Sequence, residues 1–218
     1  MYSHLFKRVI DFTFVFIVLL LIWWLLVIIA IGLHFVNKGA GAFFFQKRPG
    51  KNGKIFNVIK FKSMTDEKDV NGNLLPDAQR LTKVGRFVRA TSIDELPQLI
   101  NVLKGDMALI GPRPLLVEYL PYYTERERMR HSVRPGITGY TQVHGRNNLG
   151  WDERLEMDVY YVENLSLLLD LKIFFRTIYL YLILHYYNVL ARKDVQVITG
   201  DQISSKLSQQ RQIRNDHV

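Results

Sequence analysis

From Phe12 to Val36 the chain is an almost unbroken apolar block, interrupted only by Thr13, Gly32 and His34. As a helix it would be about 37 Å long, against a hydrocarbon core of about 30 Å. It is too long for the apolar part of a cleaved signal peptide, and no small-x-small site follows it. Lys7 and Arg8 precede it, and Lys38, Lys47, Arg48, Lys51 and Lys54 follow. The positive-inside rule therefore draws both flanks toward the cytoplasm. A re-entrant hairpin satisfies both flanks, whereas a straight span leaves Lys7 and Arg8 outside. Trp23-Trp24 occupy the middle, where no proline or glycine breaks the helix.

Beyond this block the pattern changes to short elements separated by turn residues. Pro49-Gly50 and Asn52-Gly53 predict a basic β-hairpin around Gln46 to Lys54, followed by a strand over 55–61. Residues 66–76 read as a polar loop and 82–89 as a short basic helix. Leu96, Leu99, Ile100 and Leu103 give 92–103 helical periodicity, ended by Gly105. Met107 to Ile110 is a short apolar run before the rigid turn Gly111-Pro112-Arg113-Pro114. A charged helix is expected over 115–129, an irregular stretch from Arg134 to Asn147, and a helix over 151–162. The apolar run 165–190 contains Asp170, Lys172, Arg176 and His185, which suits an amphipathic interfacial helix better than a span. The expected architecture is mainly α with a small β-hairpin. It divides into a membrane helix (1–38), a compact cytoplasmic catalytic domain with interfacial helices (39–190), and a polar tail (191–218) that frays.

Composition narrows the chemistry. The absence of cysteine removes disulfide scaffolds, Cys-based zinc sites and thiol nucleophiles. Six histidines show no metal-ligand spacing, and no Walker loop or dinucleotide fingerprint is present. A net charge of +9 asks for an anionic partner: nucleic acid, lipid headgroups or a phosphorylated substrate.

Asp-Glu dipeptides occur at 66–67, 94–95 and 152–153. The first lies in a polar loop and the third on a charged helix face, so both read as solvated. The middle pair, Asp94-Glu95, has apolar neighbours in Ile93, Leu96, Leu99 and Ile100. Ser92 to Glu95 matches a capping box, a purely structural role. That role is compatible with a catalytic one, because a helix N-terminus attracts phosphate and keeps a nearby carboxylate ionised. An ionised Asp94 is a competent nucleophile toward phosphorus, and Glu95 could hold Mg²⁺, which takes one or two carboxylates plus substrate phosphate oxygens. Guanidinium groups to absorb phosphoryl charge are Arg89, Arg113 between its two prolines, and Arg134 and Arg146 in turns bounded by Gly and Pro.

A series of motifs in order now carries a resemblance. They are Lys7-Arg8 with Asp11-Phe12, Gln46 to Gly50, Lys60 to Met64, Asp94-Glu95-Leu96, Leu103 to Met107, Gly111 to Pro114, Arg134 to Gly139, Gln142-Val143 and Gly145-Arg146-Asn147. Together they resemble the small monotopic phosphoglycosyl transferases of the bacterial sugar transferase family, over about residues 1 to 190. Glu118-Tyr119-Leu120-Pro121 and Asp158-Val159-Tyr160-Tyr161 look most like the bacillosaminyl phosphotransferases of Campylobacter-type protein glycosylation.

The resemblance implies transfer of a phospho-sugar from a UDP-sugar to undecaprenyl phosphate, with release of UMP. It implies Asp94 as nucleophile forming a covalent phosphoglycosyl-aspartate, Glu95 as the Mg²⁺ ligand, and Arg89 and Arg113 at phosphate-contacting positions. Lys60 and Lys62 add basic charge, an inference from charge alone. The implied partners are the UDP-sugar, undecaprenyl phosphate and the lipid bilayer, with no nucleic acid. The implied location is the bacterial inner membrane, with the catalytic domain on its cytoplasmic face. The family's membrane helix usually breaks at Ser-Pro, where this chain has Trp23-Trp24. Two other readings compete: a membrane-anchored basic adaptor for nucleic acid or anionic lipid, and an inactive scaffold. The first calls for a contiguous basic patch interleaved with aromatics, whereas the arginines stand singly in rigid turns. The intact Asp94-Glu95 pair opposes the second.

Overall fold

The structure is a computed structural model. It describes residues 2–145 and 149–191, with side chains except at Ser3, His4 and 184–191. The predicted polar tail lies outside the described residues. Met1–Tyr181 form one compact unit. Of a second unit, Leu182–Val218, the described part is the last turns of one helix.

The apolar block forms helix α1, Lys7–Val36, entered through a π-helical stretch at Tyr2–Phe6 and continuous through Trp23-Trp24. It lies within the 1–38 predicted for the membrane helix and extends ahead of the apolar block, where its first charges are held inside the protein. The Lys7 ammonium lies 2.6 Å from Asp170 and 3.6 Å from Asp11. Asp170 also accepts from the hydroxyls of Tyr2 (2.6 Å) and Tyr161 (2.7 Å). Arg8 donates to the carbonyls of Val102 and Leu103.

Lys7, Asp11, Val15 and Leu33 are buried, and Val18, Leu19, Ile22, Leu26, Ile29 and Ala30 between them are partly covered. The spacing of three and four residues makes this one face of α1, packed on the body along nearly its whole length. The other faces expose Phe12, Phe16, Leu20, Trp23, Trp24 and Ile28. Among the described residues, α1 is the one helix long and apolar enough to cross a membrane.

The hairpin forms as predicted, from β1 (Phe43–Pro49) and β2 (Ile55–Phe61), antiparallel with Phe43 opposite Phe61 and Pro49 opposite Ile55. Asn52 and Gly53 supply the left-handed residues of its turn. A short helix α2 (Asp77–Arg80) precedes α3 (Lys83–Ala90), which is capped by the Thr82 side chain. Next come a 3₁₀ turn at Ile93–Glu95, α4 (Gln98–Lys104) and strand β3 (Ala108–Ile110). Helix α5 (Glu125–Arg128) leads to β4 (Gly136–Thr138), α6 (Tyr140–His144), α7 (Trp151–Glu163) and α8 (Leu167–Ala191).

The structure corrects several expectations. The single helix over 92–103 is a 3₁₀ turn followed by α4, divided at Pro97, whose ring removes an N–H donor and suits a helix start. The helix over 115–129 is three pieces: 3₁₀ turns at Val117–Tyr122, which contains Pro121, and at Met129–Ser132, with α5 between them. A capping box does form, but at Thr124 and Glu127. The run 107–110 and the start of the irregular stretch join as a parallel pair, Ala108 opposite Gly136 and Ile110 opposite Thr138. Strands of three residues carry no alternation to read, and parallel partners are distant in sequence.

Candidate active site

The Asp94-Glu95 pair sits on the 3₁₀ turn between α3 and α4, and its neighbours fix that turn. Ile93 packs against the cluster of Leu33, Phe61 and Val88, and Pro97 is fully buried. Ser92 has φ 56°, in the left-handed region, and its side chain caps nothing. The capping box expected at Ser92 and Glu95 is therefore not formed, which leaves Glu95 to face outward partners. Helix α3 lies so close to Ser63 that a Cβ on Gly85 would stand 1.9 Å from the Ser63 carbonyl oxygen. That approach lets Arg89 donate from Nε to Ser63 Oγ at 2.6 Å.

Lys60 Nζ and Arg113 Nη2 both reach Glu95 Oε1, each at 2.7 Å. Lys60 comes from β2, which the fully buried Asn101 clamps to α4: Asn101 Oδ1 accepts from the Ile59 amide at 3.0 Å, and its Nδ2 donates to the Asn57 carbonyl at 2.8 Å. Arg113 is held by the backbone around it. A Cβ on Gly136 would stand 2.1 Å from the Gly111 amide nitrogen, so the two segments touch where only glycine fits. The Arg113 carbonyl accepts from Arg130 at 2.7 Å, and Arg130 is paired with Asp158 at 2.6 Å, both fully sheltered.

The two carboxylates are in opposite electrostatic states. Burial alone would raise the Glu95 pKa, but the charges of Arg113 and Lys60 outweigh it and carry it down to about 2. For Asp94, burial and then the neighbouring Glu95 charge push the pKa up to about 6, against the weaker pull of Lys60 and Arg89. The expected ionised Asp94 therefore holds near pH 7 with less margin than an ordinary carboxylate has. Among the described residues, no ion pair or side-chain hydrogen bond falls on the Asp94 carboxylate. It is a half-buried, costly anion beside a neutralised one.

Of the predicted site residues, the structure brings together Asp94, Glu95, Lys60, Arg113 and, by its charge, Arg89. Lys62 is engaged elsewhere, with Asp66 and the Ala40 carbonyl. Arg134 donates to the Gly105 carbonyl at 2.8 Å and lines a separate cavity. Arg146 lies outside the described residues. Arg48, a flanking charge and a member of the Gln46 to Gly50 motif in the sequence, is not among the predicted site residues. It is half-buried, and its pKa is lowered by burial and then by the charge of Arg113, while Glu118, Tyr119 and Glu95 act the other way. The signal available was the register: Arg48 faces Phe56 on a hairpin whose second strand delivers Lys60. Among the described residues no three or more His, Cys, Asp and Glu side chains gather as a metal cage. The groups that could hold a divalent ion are the adjacent carboxylates, Glu95 above all, since both cations on it fall on one of its oxygens. That set fits Mg²⁺ completed by substrate phosphates.

The chain matches the family described as bacterial sugar transferase over residues 2–183. It is 53% identical over 172 residues to the uncharacterized sugar transferase EpsL of Bacillus subtilis, covering 79% of this chain and 85% of that one. It is 41% identical over 158 residues to the undecaprenyl-phosphate galactose phosphotransferase of Salmonella typhimurium, covering 65% of this chain and 33% of that one. With the Escherichia coli UDP-glucose:undecaprenyl-phosphate glucose-1-phosphate transferase it shares 38% over 187 residues, covering 81% of this chain and 40% of that one. The chain thus spans most of EpsL and well under half of the two larger relatives. With most of its length matched by the family, the chain belongs to the bacterial sugar transferase family.

Proposed function

We propose that the chain is a phosphoglycosyl transferase that moves a phospho-sugar from a UDP-sugar to undecaprenyl phosphate and releases UMP, an initiating step of membrane glycan or glycoprotein assembly. The observation that carries this reading is the contrast at the turn: Asp94 stands unpaired beside a Glu95 clamped by Lys60 and Arg113. In the first step an Asp94 oxygen attacks the sugar-proximal phosphorus, and the bond to the bridging oxygen breaks, so UMP leaves with the electron pair. In the second, the phosphate oxygen of the polyprenol displaces the carboxylate, which frees Asp94. Most of Asp94 is ionised near pH 7, and its raised pKa marks an anion with little local stabilisation, hence a willing nucleophile. Arg113, Arg89, Lys60 and Arg48 supply positive charge for the diphosphate. Glu95, through the carboxylate oxygen that Lys60 and Arg113 leave free, would hold Mg²⁺, which would supply charge neutralisation for the substrate phosphates.

The relatives' names support the general reaction and two hexose donors. UDP-diacetylbacillosamine, suggested by the sequence motifs, joins them as a candidate donor. The test is UMP release from UDP-glucose, UDP-galactose and UDP-diacetylbacillosamine with undecaprenyl phosphate and Mg²⁺. Release is expected with one donor and lost on EDTA treatment; release that survives Asp94→Ala at the wild-type rate contradicts the assignment.

The membrane reading follows from α1. Its covered face runs from Lys7 to Leu33, so both ends of the helix touch the same body. A span would carry that body through the bilayer with it. We therefore infer that α1 is embedded from one side, the cytoplasmic face of the inner membrane, and does not cross. A single cysteine at Ser3 should be labelled only after cell lysis; labelling in intact cells contradicts this topology.

A further inference from the structure

Arg134 belongs to a second constellation of charge. A cavity of about 350 Å³ is lined by Lys7, Arg8, Lys51 and Arg134, with the carboxylates of Asp11 and Glu163 in its wall. None of these residues is part of the cluster around Asp94 and Glu95. The two carboxylates are already engaged, Asp11 with Lys7 at 3.6 Å and Glu163 with Arg126 at 3.1 Å. Lys7 is neutralised by Asp170. Arg8, Arg134 and Lys51 differ: among the described residues none of them makes an ion pair. The hydrogen bonds of Arg8 and Arg134 go to backbone carbonyls, and Arg8 is opposed only at longer range by the charges of Asp11 and Asp106.

The two guanidinium groups are also close to each other. Arg134 binds the Gly105 carbonyl, and a Cβ on Gly105 would stand 3.3 Å from Arg8 Nη2. Burial and then the Arg134 charge lower the Arg8 pKa, against the opposing pull of Asp11 and Asp106. Three cations without an ion-pair partner converge on one cavity whose wall sets four cations against two carboxylates, an arrangement that a bound anion stabilises. Guanidinium forks suit phosphate oxygens, and the volume suits a small polar group larger than a single ion. The source of that anion is indicated by what lies beside it. Leu5, Phe6, Val9 and Ile10, flanking Lys7 and Arg8, are exposed apolar side chains at the start of α1.

We infer that this cavity binds the phosphate headgroup of an anionic glycerophospholipid, with its acyl chains along the exposed face of α1 beside Phe6, Val9 and Ile10. The inference rests on the membrane reading of α1 and not on the transfer reaction.

The experiment titrates phosphatidylglycerol into the purified full chain in detergent, without any UDP-sugar, and counts bound lipid by native mass spectrometry. Removing one headgroup-facing charge should weaken binding about fivefold, so Lys51→Gln is expected to lose about that much and Lys51→Gln with Arg134→Gln about 25-fold. Lys54→Gln, which removes the same charge from the hairpin outside the cavity, should bind as the wild type does. Lys51 sits on the turn after β1, so the single variant carries the test if the double variant does not fold. Wild-type affinity in Lys51→Gln overturns the site, as does an equal loss in Lys54→Gln, which would mean diffuse surface charge. Complete displacement of the lipid by millimolar inorganic phosphate overturns the lipid assignment in favour of a soluble phosphate. Binding of phosphatidylcholine as tight as that of phosphatidylglycerol overturns the requirement for an anion.

Discussion

Asp11 and Asp170 form one sheltered acidic pair in this protein, and Asp94 and Glu95 form another. The first pair shares Lys7, and Asp170 gains two tyrosine hydroxyls besides, so both carboxylates have direct partners in a knot that ties the start of α1 to α8. In the second pair both cations go to Glu95, and Asp94 receives none of the direct contacts. Burial is common to both pairs; the allocation of partners differs. A buried carboxylate whose partners are complete is inert scaffold, and one deprived of them is reactive at a cost in stability. The comparison separates the residues that hold the molecule together from those that do chemistry.

The largest expected effect is on turnover. Asp94→Asn should cut UMP release by about a thousandfold or more, as removal of a nucleophile does, while leaving the fold intact. A loss of less than about tenfold, measured by UMP release, would erase the distinction between the two pairs. Asp170→Asn should act on stability instead. Removing one partner of a buried pair costs about 3 kcal/mol, read as a lower midpoint in thermal unfolding in detergent. Transfer by the remaining folded protein should stay within about tenfold of wild type.

A third expectation sharpens the contrast through pH. The folded-state pKa of Asp94, about 6, lies above its ordinary value of 3.8. A raised carboxyl pKa favours the folded state while the group is protonated, and that advantage is lost as pH rises through about 6. Asp94→Asn, which cannot ionise, should therefore be more stable than wild type at pH 8, by about 1–2 kcal/mol after allowance for partial exposure, and should converge with it near pH 4. The same titration sets the rate: kcat/KM should rise with pH to a plateau above about 6. A flat profile from pH 5 to 8 would contradict the ionisation assigned to Asp94. The smallest effect belongs to the exposed fork of Arg126 with Glu156 and Glu163. Arg126→Ala should change stability by less than about 1 kcal/mol, since exposed pairs contribute little.

Much of this was legible in the sequence, for reasons that can be named. The apolar block, the Asn-Gly turn of the hairpin and the periodicity of α7 are local signals, and each formed where it was expected. Asp94 and Glu95 stood out because their neighbours are apolar. What stayed hidden depends on partners distant along the chain. The parallel pairing of Ala108 with Gly136, the ties from Lys7 to Asp170 and the approach of Arg48 to Arg113 have no local pattern. Ser92 misled because a capping box needs extended backbone at its first residue, and Ser92 is left-handed. Lys60 and Lys62 looked equivalent by charge, yet only Lys60 reaches Glu95, since Lys62 follows the end of β2 and turns to Asp66.

The central claim is that Asp94, kept apart from its neighbour's cations, becomes covalently phosphoglycosylated. The most direct measurement is the intact mass of the protein after mixing with the UDP-sugar that supports turnover, in the absence of undecaprenyl phosphate. The wild type should gain the mass of one phospho-sugar as it releases one equivalent of UMP, and Asp94→Asn should gain nothing. An adduct that persists in Asp94→Asn, or a turning-over wild type that never carries one, would contradict the account.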